Sequence, residues 1–478
     1  MMRSLFSGVS GLKTHQTKMD VIGNNIANVN TIAFKSSSTT FSEIMYQTMS
    51  GASGPSVATG RGGVNAKQIG LGVTSGSISV NITSPGATQT TGDPFDLKIT
   101  GDAFFVVSNG RQNLFTKAGS FYVDAVGNLA MKSTGYNVMG WQVDPLTGDI
   151  KKDTVSALRI MEAKNLTSPP EATTKATVAG ILDQNNKNVN TTEGQVLNLN
   201  FYDALGYAYT ARFAIKGVDA GGTALPVGEY DLVLTDVLDQ NSKSILGDPP
   251  AIPDGIFAST PGTNVRLKFN TATGVFESLA GGNQVPAPVP AVPGWTPPPA
   301  SIMLNLKDSV TTALGADVGG KFENIELDFT AVKKWDNGGN NTIAMDRGDN
   351  DAIGAGKKVG DLTNISINFD GRIFGAYDNG NTILLGQVAT ATFANASGLE
   401  KLGENCYQTT LNSGEFDGIG KAIDSDGGSM TSGTIEMSNV DLSTEFTEMI
   451  ITQRGFQANS RIITTSDSLL EELVNLKR

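Results

Sequence analysis

One cysteine and one histidine occur among 478 residues. With Cys406 alone, no intramolecular disulfide and no thiolate zinc site can form, and without a histidine partner Cys406 reads as a small, inert core residue. His15 alone excludes multi-histidine metal sites. It also leaves a Ser-His-Asp arrangement without support, because it lies in a terminal segment with helical patterning, where an exposed polar position is expected. Charge is scarce as well: charged residues make up 17%, with 35 Lys+Arg against 47 Asp+Glu, a net of −12. No basic stripe is present to displace counterions from phosphates, so nucleic-acid binding is not expected. Long apolar runs are missing. No window approaches the ~20 apolar residues of a membrane span, so no membrane insertion is expected. The start, Met1-Met2-Arg3-Ser4-Leu5-Phe6, lacks the apolar run and small-residue cleavage site of a conventional signal peptide.

Catalytic and cofactor motifs are equally thin. Gly60-Arg61-Gly62-Gly63-Val64-Asn65 and Gly70-Leu71-Gly72-Val73-Thr74-Ser75 lack the last glycine of GxGxxG and open no helix, so both read as turns. No P-loop lysine motif and no HExxH occurs. The acid-rich loops Asp346–Asp351 and Asp424–Gly427 lack calcium-loop spacing and a terminal Glu. Arg347-Gly348-Asp349 spells an adhesion tripeptide that chance often supplies. The expectation is no catalytic residue, no metal, no cofactor and no enzymatic activity.

What is abundant is glycine, at 56 residues, and it favours short strands and turns. The two ends differ from this background. Leu5, Val9, Leu12, Met19 and Ile26 step by threes and fours from Met2, with Gln16 and Gly23 filling the series. Such a stripe is the narrow seam of a coiled coil, and Gly23 is expected to let a neighbouring backbone approach. At the other end Leu442, Met449, Gln453, Phe456, Ile463, Leu470 and Val474 repeat the pattern, broadened by Phe446, Ile450 and Leu473. Asn439 or Asp441 can cap this helix, and Glu445 and Glu448 suit its positive end. Residues 1–35 carry four cations and one acid, net +3; residues 440–478 carry four cations and six acids, net −2. Opposite charge suits pairing. Six to eight seam side chains at about 2 kcal/mol each do not offset the backbone entropy of ~30 ordered residues, so the ends are expected to order only among several subunits.

Between the helices the period falls to two. Residues 36–91 read as a Gly/Ser-rich extended connector with a strand or two near Val73–Ile82. Alternation at Phe95, Leu97 and Ile99, the run Phe104–Val107 ended by Asn109-Gly110, and Phe121–Val123 before Gly127-Asn128 are hairpin signals. Matching signals return at Ile365, Ile367 and Phe369 before Asp370-Gly371, and at Ile383–Leu385 after Asn379-Gly380. The predicted fold is mainly β with paired terminal α-helices, an elongated subunit of nested discontinuous domains. Residues 1–35 and 436–478 form the helices, and 92–160 with 358–435 form a split β domain. Residues 161–357 form an inserted outer β domain, with a Pro-rich loop at 285–299.

Leu5-Phe6-Ser7-Gly8-Val9-Ser10-Gly11-Leu12 and the Asn-rich stretch from Ile22 through Asn24, Asn25, Ile26, Asn28, Asn30, Thr31, Phe34 and Lys35 closely resemble the N-terminal signature of bacterial flagellar rod and hook proteins. Gln453-Arg454-Gly455-Phe456-Gln457-Ala458-Asn459 resembles their C-terminal motif, and Gly92–Val107 with Gly119-Ser120-Phe121 their shared β domain. Segment 161–357 lies outside the resemblance, and Ala33 stands where the family usually has glycine. The resemblance implies a self-assembling structural subunit whose helices line the inner wall of a helical tube. The marked stripe and motif residues at each end would make the assembly contacts. It further implies unfolded export through the flagellar type III apparatus to the bacterial flagellum, growth under a hook cap, and contact with distal rod and hook–filament junction proteins. The long insertion favours a hook subunit, a flexible joint transmitting motor torque, over a distal rod subunit. A surface adhesin or glycan-binding β protein is the reading from another class, and aromatic side chains clustered on one exposed face would support it.

Overall fold

The computed structural model describes residues 2–55, 60–144, 147–219, 222–247, 250, 252, 256, 265–281, 301–307 and 321–476. The fold is mostly β with one long helix at each end: α1, Met2–Ala27, and α2, Leu442–Asn475. The chain divides into two compact units. One comprises residues 1–165, 364–375 and 383–478, the other 166–363 and 376–382. The Pro-rich run 285–299 lies outside the described residues.

In the helix-bearing unit a sheet runs in the order Thr382–Val388, Asn137–Gln142, Phe104–Ser108, Asn113–Thr116, Cys406–Gln408, Glu400–Gly403. Residues far apart in sequence alternate along this order, so the unit is discontinuous. Its core follows from the apolar run: Phe104 and Val106 point to one face with Phe115, Leu399 and Tyr407, while Phe105 meets Phe121 edge-on at 5.0 Å. Trp141 is fully buried and its indole N–H is satisfied by the carbonyls of Asp153 and Ile419, at 3.0 and 3.1 Å. Cys406 is buried, and desolvation pushes its thiol up to about 11, which leaves it unreactive.

Residues 36–91 are more regular than their composition suggests. Ser37–Glu43 pairs antiparallel with Val73–Val80, Tyr46–Ser50 with Lys67–Gly70, and Thr88–Thr90 with Thr434–Glu436. The first two pairings form an arm exposed on both faces, so its side chains carry no alternation of period two. Ser/Thr ladders hold it, Ser38 to Ser79 at 3.1 Å and Thr40 to Ser77 at 2.7 Å.

The second unit has a five-stranded meander of Gln195–Tyr202, Ala208–Lys216, Glu229–Leu238, Val265–Phe269 and Phe276–Ala280. Beside it is a four-stranded sheet in the order Ser301–Leu304, Ile325–Lys333, Lys175–Ile181, Ala344–Arg347. Both sheets bury side chains in one shared core, among them Phe201, Phe213, Leu232, Leu267, Leu327 and Phe329. Among the described residues the unit thus has one core shared by both sheets. Lys175–Ile181 and Ile325–Lys333 pair in parallel, which ties the start of this unit to its later part.

Candidate assembly surface on the terminal helices

Helix α2 begins at Asp441, whose carboxylate accepts from the Ser443 N–H at 2.9 Å and the Thr444 hydroxyl at 3.0 Å. These bonds, the Thr444 hydroxyl foremost, hold its carboxyl below the usual range. The two helices then run antiparallel along a small and polar contact line. Ser4 meets Ser466 at 3.5 Å, Lys18 pairs with Glu448 at 3.2 Å, and the Asn25 amide donates to Glu445 at 2.8 Å. Between these points the backbones approach at glycines. A methyl on Gly11 would lie 2.8 Å from the Asn459 amide nitrogen, and one on Gly455 would lie 2.6 Å from the His15 ring. Ser4, Gly8, Gly11, His15, Lys18, Ile22 and Asn25 step by four and three, as a seam must.

This seam sits one residue away from the apolar stripe, and three sequence expectations change with it. Leu5, Leu12, Met19 and Ile26 are half-buried and Val9 is 51% exposed, so the stripe flanks the polar contact line and keeps part of its surface open. Among the described residues beyond its own helix turn, Gly23 has no atom within 4 Å of where a side chain would start, so no other backbone of the chain approaches it there. His15 is half-buried against Gly455 instead of standing on an open face. Apolar periodicity does not point to this intrachain line, because glycine and serine close a helix contact through proximity. On α2, Leu442, Phe446 and Val474 are exposed at 38, 49 and 68%, Gln453 and Gln457 are exposed, and Met449, Phe456, Asn459, Ile463 and Leu470 are half-buried. Of these, Asn459 and Ile463 lie on the contact line, opposite Gly8 and Gly11.

The Asn-rich motif is an internal clamp. Asn25 is 1% exposed; its carbonyl accepts from Ser37 N–H at 3.0 Å and its amide donates to Ser37 O at 2.9 Å, while holding Glu445. Burial raises the Glu445 carboxyl above its ordinary value, and the Asn25 bond partly offsets this. Asn28 donates to Asn24 and accepts from the Thr31 hydroxyl, fixing the turn that ends α1, whereas Asn30 is exposed. Ala33 takes φ +55°, the left-handed conformation a glycine would adopt there. Phe34 lies under the Lys401 ammonium, 4.8 Å from its ring centre.

Lys35 is buried, and its ammonium reaches Glu436 and the Ser84 carbonyl, each at 2.8 Å. Glu436 also accepts from Gly86 N–H at 2.7 Å. Lys117, donating to Gly101 O at 2.6 Å, is held by desolvation down to about 8, with Glu436 opposing and Lys35 reinforcing. Sequence reasoning did not find Lys117, Glu436 or Lys401 because their partners lie far away along the chain.

The adhesion tripeptide is committed internally. The Asp349 carboxylate accepts from the backbone of Asp351 and Ile353 and pairs with Lys175 at 3.3 Å. Among the described residues no group of His, Cys, Asp and Glu is arranged to hold a metal ion, and no helix is long and apolar enough to cross a membrane.

Comparison with known proteins agrees with this architecture. Residues 5–35 match the family described as flagella basal body rod protein, residues 98–180 the flagellar hook protein FlgE/F/G D1 domain, and residues 431–476 the flagellar basal body rod FlgEFG protein C-terminal. The flagellar hook protein FlgE of Borreliella burgdorferi is 35% identical, with 100% of both chains covered. That of Treponema pallidum is 34% identical with the same coverage. The flagellar basal-body rod protein FlgG of Bacillus subtilis is 29% identical, again over 100% of both chains. Among solved structures, a Helicobacter pylori flagellar hook protein FlgE2 aligns with 73% of this chain and 98% of its own at 13% identity and a TM-score of 0.39, too low to carry weight. The end-to-end identity to hook proteins, with family matches at both termini and in the β region between, makes this chain a member of the flagellar rod and hook protein family.

Proposed function

We propose that this chain is the structural subunit of a bacterial flagellar hook, stacking copy on copy into a flexible tube that passes motor torque to the filament. The observation that carries the reading is alignment with two hook proteins over the full length, insertion included. The partly exposed apolar stripe supports it physically. Leu5, Val9, Leu12, Met19 and Ile26 all keep exposed surface in one chain, and that surface can pack against other copies. Each such side chain, fully buried, contributes about 1.5–3 kcal/mol. In this reading the helix pair lines the inner wall of the tube and the β regions lie outside it. The tube meets distal rod and hook–filament junction proteins at its ends and grows under a hook cap. The chain reaches the flagellum unfolded through the type III export apparatus, and it catalyses nothing. A distal rod subunit is the second reading, favoured by the full-length match to a rod protein at 29%.

Negative-stain microscopy tests the proposal. The intact chain forms tubes, whereas chains lacking residues 1–30 or 440–478 form none while keeping β circular dichroism. Tubes from either truncated chain overturn the assignment of the helices. Deleting 161–357 leaves tubes of altered stiffness or curvature. In a motile cell, a labelled copy found in the rod and not in the hook decides for the second reading.

A further inference from the structure

The chain's one histidine occupies the tightest point of the helix contact. The His15 ring on α1 lies against the Gly455 backbone of α2, where even a methyl group would come within 2.6 Å of it. Its third neighbour is the arm: Phe41, in strand Ser37–Glu43, meets the ring edge-on with centroids 5.4 Å apart. Three elements therefore close around one titratable group. Its Nδ1 is buried and has no hydrogen-bond partner among the described residues. The neutral ring tolerates this, but the protonated ring donates from both nitrogens and would leave a buried charged N–H unsatisfied.

The charged groups around it do not compensate. Lys18, one turn along α1, adds a second cation 5.9 Å from the Phe41 ring centre. Its partner Glu448 on α2 is already engaged at 3.2 Å, and Glu445 holds Asn25. Arg454 on α2 turns to Gln457, and Glu43 on the arm accepts from the Tyr46 hydroxyl. Burial, and Lys18 after it, lower the His15 pKa.

We propose that His15 is an acid-sensitive latch, closed when neutral, that releases α1 from α2 and from the arm when it is protonated. The opened pair exposes the ring to water, where it titrates near its ordinary 6.5. Between that value and the lower one of the closed pair, the open form binds more protons. Closure is therefore complete above about pH 6.5, and the opening constant rises by up to tenfold for each pH unit below it. This is independent of what the assembled tube does, because the contact is made within one chain.

The full-length chain tests it in two ways. Its single histidine gives one imidazole Cε1–H resonance, followed by NMR from pH 4.5 to 8, and hydrogen exchange of the α1 and α2 amides, corrected for intrinsic rate, reports opening over the same range. Expected are a midpoint below 6.5 and amide protection that falls with the same transition. His15→Gln, uncharged throughout, keeps the protection at pH 7.5 and flattens its loss between pH 6.5 and 5. Glu445, whose carboxyl burial raises in the closed pair, works in the opposite direction and favours closure as the pH falls, so it cannot mimic the latch. A midpoint at or above 6.5, or a His15→Gln chain with the unaltered acid profile, overturns the latch. If His15→Gln does not pair at pH 7.5, His15→Asn and the unmodified chain's titration decide.

Discussion

Replacing glycine by alanine at Gly23 and at Gly455 separates the true helix contact from the apolar stripe. Both positions are interior to a long helix, so each gains about 0.8–1 kcal/mol of helix propensity. At Gly23 nothing lies within 4 Å of the new methyl. The gain should appear undiminished, as an opening constant for α1 about four- to fivefold smaller. At Gly455 the methyl would lie 2.6 and 2.7 Å from two atoms of the His15 ring. The ring is wedged against Phe41, and overpacking of this kind costs about 1–3 kcal/mol. The net at Gly455 is a loss of about 0–2 kcal/mol, opposite in sign to Gly23. Hydrogen exchange of the helix amides in the full-length chain, at a protein concentration too low for polymers to form, reads both values. Equal stabilisation at the two sites would refute the close approach. Destabilisation at Gly23 would restore it to the contact line. Impaired tube formation by Gly23→Ala, together with a firmer monomer helix, would place Gly23 against another copy.

Three further outcomes are expected. Glu436→Gln leaves Lys35 charged and buried without its ion partner and costs about 3–5 kcal/mol, measured by urea denaturation, while Lys35→Met with Glu436→Gln recovers part of the loss. Lys117, held at about 8 against its ordinary 10.5, keeps its proton in the unfolded chain over a range where the folded chain has released it. Stability therefore rises with pH above about 8, and the full shift amounts to about 3 kcal/mol. Near pH 9 and above, ionisation of Cys406 and Tyr230 in the unfolded chain opposes the rise, since folding pushes these groups up to about 11 and about 12. Lys117→Met removes the rise in a series of thermal melts. Ala33→Gly relieves a left-handed backbone costing about 1–2 kcal/mol but loosens the unfolded chain by about 0.4–1 kcal/mol, for a net gain of about 0–1.6 kcal/mol in stability, read as a raised melting midpoint.

Much of the fold was legible locally. Strands announced by alternation or by a short apolar run, such as the one ending at Ile365 and Ile367 and the run at Phe104, form where expected because their apolar side chains must be buried. The arm was less legible, since strands wet on both faces carry no such signal. Asp441 was one of two candidate caps, and only the backbone geometry at the start of α2 separates it from Asn439. Asn439 instead accepts from Ser36 N–H at 2.8 Å and donates to Asn81 O at 2.9 Å. Of the assembly residues, Asn25 and Lys35 proved to be joints within the chain.

By itself the sequence determined the class of the chain: two terminal helices, a turn-rich β middle, and motifs shared with rod and hook proteins. Periodicity and short motifs are properties of neighbours along the backbone, and no folding is needed to read them. Only the tertiary structure decided which line of each helix faces the other, that one core unites both sheets of the insertion, and that Lys35, Lys117, Lys401 and Glu436 cluster at one joint. Those outcomes depend on distances between residues hundreds of positions apart. They also depend on glycine, whose contribution to a contact is the absence of a side chain.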